Sequence, residues 1–180
     1  MGFDMNAFSL AGKKAIVTGG AKKTGLCYGM AVALHDAGAE IVILDANSQV
    51  ENTVAELGGA KSGYHAVVAN LLDLNDLSNG FQQAISALGG RLDILVNGAG
   101  LQYRCPSEEF PEDAWDRIMG VNIKGVFFMS QLAGKVMLKQ GKGKIINIAS
   151  TNSFIGLRNM PAYVSSKGGV KQLTMALSSE

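Results

Sequence analysis

Tyr163 and Lys167 stand four residues apart in the helically patterned segment PAYVSSKGGVKQLTMAL, so both side chains project from one helix face. A phenol with its ordinary pKa of about 10 is a poor base near neutrality, and an ammonium group beside it favours the phenolate. The pair can therefore move a proton at a reacting oxygen. Ser150 closes the apolar run KIINIAS, at a strand end where a hydroxyl can hydrogen-bond a carbonyl or alcohol oxygen. Asn122 precedes Ser150 by 28 residues, and Ser150 precedes Tyr163 by 13. A lone Tyr-x-x-x-Lys pair is mostly ordinary helix surface, so its meaning depends on the elements that carry it.

A second chemistry is written in TGGAKKTGLCYGMA, Thr18 to Ala31, directly after an apolar run. Glycines such as Gly19, Gly20 and Gly25 between a strand and a helix let backbone N–H groups approach phosphate oxygens, and the helix N-terminus adds a favourable dipole. Asp45 ends the next apolar run, about 20 residues past the turn, where a carboxylate accepts ribose hydroxyls and repels a 2′-phosphate. That favours NAD. Lys22 and Lys23 pull towards NADP if they pair with a 2′-phosphate, or else they are solvated or touch the pyrophosphate, so NADP stays open. A compact phosphate turn would have glycine four and six residues after Gly19, yet Lys23 takes the middle place, and Cys27 follows Gly25 either as a small packing residue or as a reactive thiol.

Five short runs rich in Val and Ile have the near-continuous apolar character of parallel strands covered on both faces: Lys14 to Gly19, Glu40 to Asp45, Tyr64 to Asn70, Asp93 to Gly98 and Lys144 to Ser150. Helical segments alternate with them, among them one from Glu112 to Gly141 and a last one from Pro161 to the end of the chain. Asn47 or Ser48 and Asn75 are the expected N-caps. The alternation specifies α/β class: a Rossmann-like, doubly wound parallel sheet with right-handed crossovers and its ligand beyond the C-terminal strand ends. With 180 residues and no linker or repeat, residues 1–180 read as a single nucleotide-binding domain.

Composition excludes other classes. Lys and Arg total 16 against 15 Asp and Glu, which leaves no positive field for nucleic acid or an anionic membrane surface. The two cysteines form neither a disulfide framework nor a metal motif, so no metal is expected and a reducing cytoplasm is. MGFDMNAFSLAGKK lacks a leader pattern, and no segment reaches the roughly 18 apolar residues of a membrane span.

Asn122, Ser150, Tyr163 and Lys167 together resemble the catalytic tetrad of the short-chain dehydrogenase/reductase family. The likeness extends to the glycine loop, Asp45, NGAG at Asn97 to Gly100, VNIKG at Val121 to Gly125 and YVSSK at Tyr163 to Lys167. The resemblance implies Tyr163 as general acid/base, Ser150 as the group that positions the substrate oxygen, Lys167 on the nicotinamide ribose and Asn122 holding a relay water. It also implies cofactor contacts from Gly19, Gly25, Leu26, Asp45, Asn70, Leu71, Asn97, Ala99, Gly100, Tyr163 and Lys167. Hydride would pass between a carbinol carbon and the nicotinamide, without a metal.

Gly98 stands where the family usually has a second Asn, and Asn70 where it often has an adenine-binding Asp. The glycine loop is two residues longer than the common one and similar in length to that of the enoyl-acyl-carrier-protein reductases. Those enzymes space Tyr and Lys more widely than four, so the resemblance implies alcohol/ketone rather than enoyl chemistry. Within the family, Arg91 to Ser150 looks most like sugar-acid dehydrogenases acting on 2-deoxy-gluconate or keto-gluconates. Arg104 and Arg158 read as clamps for a substrate carboxylate or as exposed loop arginines. Trp115 and Val126 to Met129 read as helix core or subunit packing, and the family implies a homodimer or homotetramer. Family members are longer, which implies that further strands and a substrate lid lie past Glu180 and that the fifth strand is an open edge. A nucleotide-binding remnant or interaction module without catalysis is the second reading.

Overall fold

The computed structural model describes residues 5–180; of the leader reading above, Met1 to Asp4 lie outside them. Five parallel strands, β1 (Lys14–Thr18), β2 (Glu40–Asp45), β3 (Tyr64–Val68), β4 (Ile94–Asn97) and β5 (Lys144–Asn147), form one sheet in the order β3-β2-β1-β4-β5. Strand order reverses between β1 and β4, where the loops leaving two neighbouring strands diverge and open a crevice.

Alternate residues of β1 to β4 feed two cores. Ile16, Val42, Leu44, Val67 and Leu95 pack on one face with Phe81 and Ala84 of α3 (Leu74–Ala87) and Met129 and Ala133 of α5 (Val126–Gln140). Ala15, Val17, Ile41, Ile43 and Val96 pack on the other with Cys27 and Ala31 of α1 (Leu26–Asp36) and Val50 and Val54 of α2 (Gln49–Glu56). Coverage on both faces is why the strand runs are apolar throughout. Among the described residues, no helix is long and apolar enough to cross a membrane.

The expected helix from Glu112 to Gly141 is divided. α4 (Glu112–Met119) passes into a π-turn, Gly120–Gly125, before α5 begins, and Gly141 closes α5 in the left-handed conformation. Glycines bound the π-turn because the loop after β3 presses on it: a Cβ at Gly120 would lie 2.6 Å from Leu72 Cδ2, and one at Gly125 3.1 Å from Leu71 Cβ. α6 (Pro161–Leu177) starts at its proline as expected and ends three residues before Glu180.

The caps differ in part from expectation. Ser48 is the N-cap of α2 by position, while the Asn47 carboxamide oxygen accepts from Gln49 N–H at 2.9 Å. α3 is capped by Asp73, not Asn75; its carboxylate accepts from the N–H groups of Asn75 and Asp76 at 2.8 and 3.2 Å. β3 stops at Val68 rather than Asn70, because Asn70 N–H turns out of the ladder to Asp76 Oδ2. β5 likewise stops at Asn147, and with β4 its one strand partner among the described residues it is an edge strand there, on which Ile146 is exposed.

Candidate active site

The crevice between the β1 and β4 loops encloses about 490 Å³, bounded by Gly19, Gly25, Asp45, Asn70, Leu71, Ala99 and Gly100 among others. These are seven of the residues expected around a dinucleotide. Gly19 has φ +87°, and a Cβ on it would lie 2.7 Å from Ala99 Cα, so a side chain there would force the two loops apart. Thr18 joins them from below: its hydroxyl accepts from the N–H groups of Gly98 and Ala99 at 3.0 and 3.1 Å. Sequence reasoning gave Thr18 no role, although it is a hydroxyl ending an otherwise apolar run.

Asp45 uses both carboxylate oxygens on backbone, Oδ2 accepting from Ala21 N–H and Oδ1 from Asn47 N–H, each at 2.9 Å. The two loop lysines part company. Lys22 lines the cleft, whereas Lys23 is ion-paired with Glu56 on α2. Asn70 spends its carboxamide oxygen on Leu72 N–H at 3.0 Å, which leaves its NH₂ for a ligand. Cys27 is buried and its thiol is pushed up, mainly by burial; the Lys167 charge opposes this and Asp45 adds to it. That is the environment of a packing thiol rather than an activated one.

The four tetrad positions come from three elements. Asn122 sits in the π-turn, fully buried, accepting from Leu101 N–H at 2.8 Å and donating to Leu101 O at 2.9 Å and to Ser166 Oγ at 3.0 Å. Lys167 is only 5% exposed; its Nζ donates to Ile148 O at 2.6 Å and lies 5.9 Å from the Tyr163 ring centre. Burial pushes its pKa down from the ordinary lysine value, with Cys27 opposing. Gly100 lies against both groups: a Cβ there would be 3.5 Å from Asn122 Oδ1 and 3.8 Å from Lys167 Nζ. Tyr163 is half-buried in the first turn of α6.

Ser150 lies three residues past β5 as N-cap of a short 3₁₀ turn, Thr151–Ser153. Its hydroxyl accepts from Asn152 N–H and donates to Asn152 Oδ1, both at 3.1 Å. Ser153 Oγ donates to Lys167 O at 2.7 Å and so fastens this turn to α6. Ser153 and Ser166 were not singled out in the sequence; each acts through the backbone or amide of a neighbour, which spacing does not reveal.

Leu26 and Asn97, expected at the cofactor, and the two arginines Arg104 and Arg158 do not line the cleft. Leu26 is 78% exposed and does not line the cleft. Asn97 is buried beneath it, donating to Ser130 Oγ at 3.0 Å and Asn147 Oδ1 at 2.9 Å, and so ties β4 to α5 and β5. Arg104 and Arg158 are exposed, on loops joined next door by Cys105 N–H donating to Asn159 O at 3.0 Å. Neither arginine has an ion-pair partner among the described residues. Among those residues no acidic, His or Cys cluster could hold a metal ion.

The family described as short chain dehydrogenase matches residues 13–180. The 2-dehydro-3-deoxy-D-gluconate 5-dehydrogenase of Escherichia coli is 42% identical over 177 residues, an overlap of 98% of this chain and 68% of the relative. An NAD-dependent glycerol dehydrogenase of Listeria innocua is 34% identical over 182 residues, covering 99% of this chain and 68% of its own. The crystal structure of a gluconate 5-dehydrogenase from Burkholderia cenocepacia in complex with NADP and tartrate superposes with a TM-score of 0.88 at 32% identity, over 97% of this chain and 68% of that one. The chain thus spans about two thirds of the length of these relatives.

Proposed function

The chain belongs to the short-chain dehydrogenase family, and on that premise we propose that it is an oxidoreductase acting on a secondary alcohol or ketone of a sugar acid. The observation that carries this is the convergence of Asn122 and Lys167 on Gly100 at one end of the cleft, with Tyr163 on the same helix as Lys167. The residues fit a dinucleotide, since side chains are missing where a phosphate backbone would pass, at Gly19 and Gly25. When bound, the nicotinamide supplies or receives the hydride.

Tyr163 gives a proton to the carbonyl oxygen in reduction and takes it from the alcohol in oxidation. Ser150 turns its hydroxyl from Asn152 to that oxygen and holds it in place. Lys167 has three donors, of which Ile148 O engages one, so two remain for the nicotinamide ribose and the Tyr163 side. Both N–H bonds of the Asn122 amide are committed, so its side chain can hold a relay water only by accepting through Oδ1.

NAD is the preferred cofactor in this reading. Each Asp45 oxygen keeps a lone pair for a ribose hydroxyl, and a 2′-phosphate would meet that carboxylate. Lys22, alone of the two loop lysines on the cleft, is the group through which NADP could still bind. Arg104 and Arg158, on neighbouring loops and without an ion-pair partner among the described residues, would receive the substrate carboxylate. The chain acts as a single dinucleotide-binding domain, and Trp115, 38% exposed on α4, supports association into a homodimer or homotetramer. The remnant reading is not favoured, because the relatives matched along nearly the whole chain carry the names of dehydrogenases.

Calorimetric titration with NADH and NADPH, followed by turnover assays on gluconate-class substrates with the parent and Tyr163→Phe, tests this reading. Tighter NADH binding, with binding kept and turnover abolished in Tyr163→Phe, is expected. Turnover retained by Tyr163→Phe would remove the assigned acid/base, and binding of neither nucleotide by the parent would remove the site.

A further inference from the structure

The loop between β1 and α1 is held from outside the cleft. Thr53, on α2 and 1% exposed, donates from Oγ1 to Ala21 O at 2.7 Å across 32 residues of sequence. The peptide group before Ala21 is fixed by the opposite partner, its N–H donating to Asp45 Oδ2 at 2.9 Å. Both peptide groups flanking Ala21 are therefore pinned, one by the end of β2 and one by α2.

A trans peptide is planar, with its C=O and N–H pointing in opposite directions. Fixing Ala21 C=O on Thr53 therefore aims the Lys22 N–H away from α2. That N–H has no partner among the described residues, and Lys22 lines the cleft. A second contact from α2 reaches the same loop, the Lys23–Glu56 ion pair, but both its side chains are half in water, and such pairs contribute little. The buried hydroxyl is the one that can set the peptide plane. Val50 and Val54 on the same helix pack in one core with Ala21 and Cys27, so α2 itself is anchored.

We propose that Thr53 is a positioning residue for the cofactor, acting through the Ala21–Lys22 peptide to present the Lys22 N–H to the dinucleotide pyrophosphate. The inference rests on the reading of the cleft as a dinucleotide site.

The test compares Thr53→Val, which keeps the shape and loses the donor, with Thr53→Ser, which restores it. NADH, ADP-ribose and adenosine are titrated into each 180-residue chain, and amide exchange is followed without ligand. Expected are an affinity for NADH and ADP-ribose lowered about tenfold in Thr53→Val, the scale of one lost hydrogen bond. Adenosine affinity should stay within about twofold on the same scale, Thr53→Ser should match the parent, and exchange should quicken at Gly20 to Thr24 alone. The inference is overturned if Thr53→Val binds NADH like the parent, if Thr53→Ser is equally weak, if adenosine loses as much as NADH, or if exchange in the loop is unchanged. A parent chain that binds no NADH would instead overturn the dinucleotide reading, while the exchange data would still decide whether Thr53 clamps the loop.

Discussion

The sulfur of Cys27 occupies the space that a side chain at position 98 would need: a Cβ built on Gly98 would lie 2.4 Å from Cys27 Sγ. Two departures from the family pattern, a cysteine in the phosphate loop and a glycine after Asn97, are thus one packing exchange between the start of α1 and the end of β4. Gly98→Ala should destabilise by about 1–3 kcal/mol, the usual cost of overpacking. Adding Cys27→Ala should recover part of it, because the 2.4 Å clash with sulfur is removed while the 3.1 Å approach to Thr18 O remains. Urea unfolding of the two single variants and the double variant measures the coupling, and strictly additive losses would contradict it.

Asn122 fastens the π-turn to the loop after β4 with a reciprocal pair of bonds to Leu101 and to α6 through Ser166. Asn122→Ala leaves the Leu101 N–H and C=O without those partners. A loss of about 1–3 kcal/mol is expected, the cost of one orphaned buried group, because the Leu101 groups are only part-buried and the bond to Ser166 is the buried one. Asn122→Asp, which sets a carboxylate oxygen against the Leu101 carbonyl at a fully buried position, should lose at least as much. A loss under about 0.5 kcal/mol for Asn122→Ala, the scale of an ordinary surface substitution, would show that water replaces these bonds.

Strand positions, helix order and the crevice at the strand reversal were legible because buried parallel strands need unbroken apolar runs and helices need turn residues between them. The π-turn was not, since VNIKG continues the helical apolar pattern and differs only in the ring size of its hydrogen bonds. Asn97 was placed beside the cofactor by the family resemblance of NGAG, which says nothing of its side chain; alternation in β4 turns that side chain down to Ser130 and Asn147. Thr53 gave no sign, as a threonine on an amphipathic helix looks the same whether its hydroxyl meets water or a carbonyl 32 residues away. What the sequence hides here is the direction of hydrogen bonds between elements.

Asp45 serves the Ala21 and Asn47 N–H groups and, in the proposed reading, the bound ribose, so its removal should act on selectivity as well as affinity. Asp45→Ala is expected to weaken NADH binding and to narrow the NADH/NADPH preference by about tenfold, since a carboxylate facing a 2′-phosphate is worth at least about 1.4 kcal/mol. Parallel calorimetric titrations give the ratio. An unchanged ratio would mean that Lys22, not Asp45, governs the choice.

Asp93 binds the start of β1 to the start of β4: its Oδ2 accepts from Lys14 N–H at 2.9 Å and its Oδ1 from Arg91 at 2.8 Å, with a side chain only 6% exposed. Burial alone would push the carboxyl up, but the hydrogen bonds from Arg91 and Lys14 and the charges of Arg91 and Lys13 outweigh it and hold it below the usual carboxylate range. Between the depressed folded value and the unfolded value of about 3.9, the unfolded chain binds the extra proton, so stability rises with pH there. The contribution is complete above about pH 5 and is lost as the pH falls below about 4 through the folded value. Asp93→Asn should therefore be less stable than the parent by about 1–3 kcal/mol at pH 7, with the deficit shrinking towards pH 3. Thermal unfolding of both proteins across that range provides the check, and a deficit of equal size at both ends would show that shape, not charge, is what Asp93 supplies.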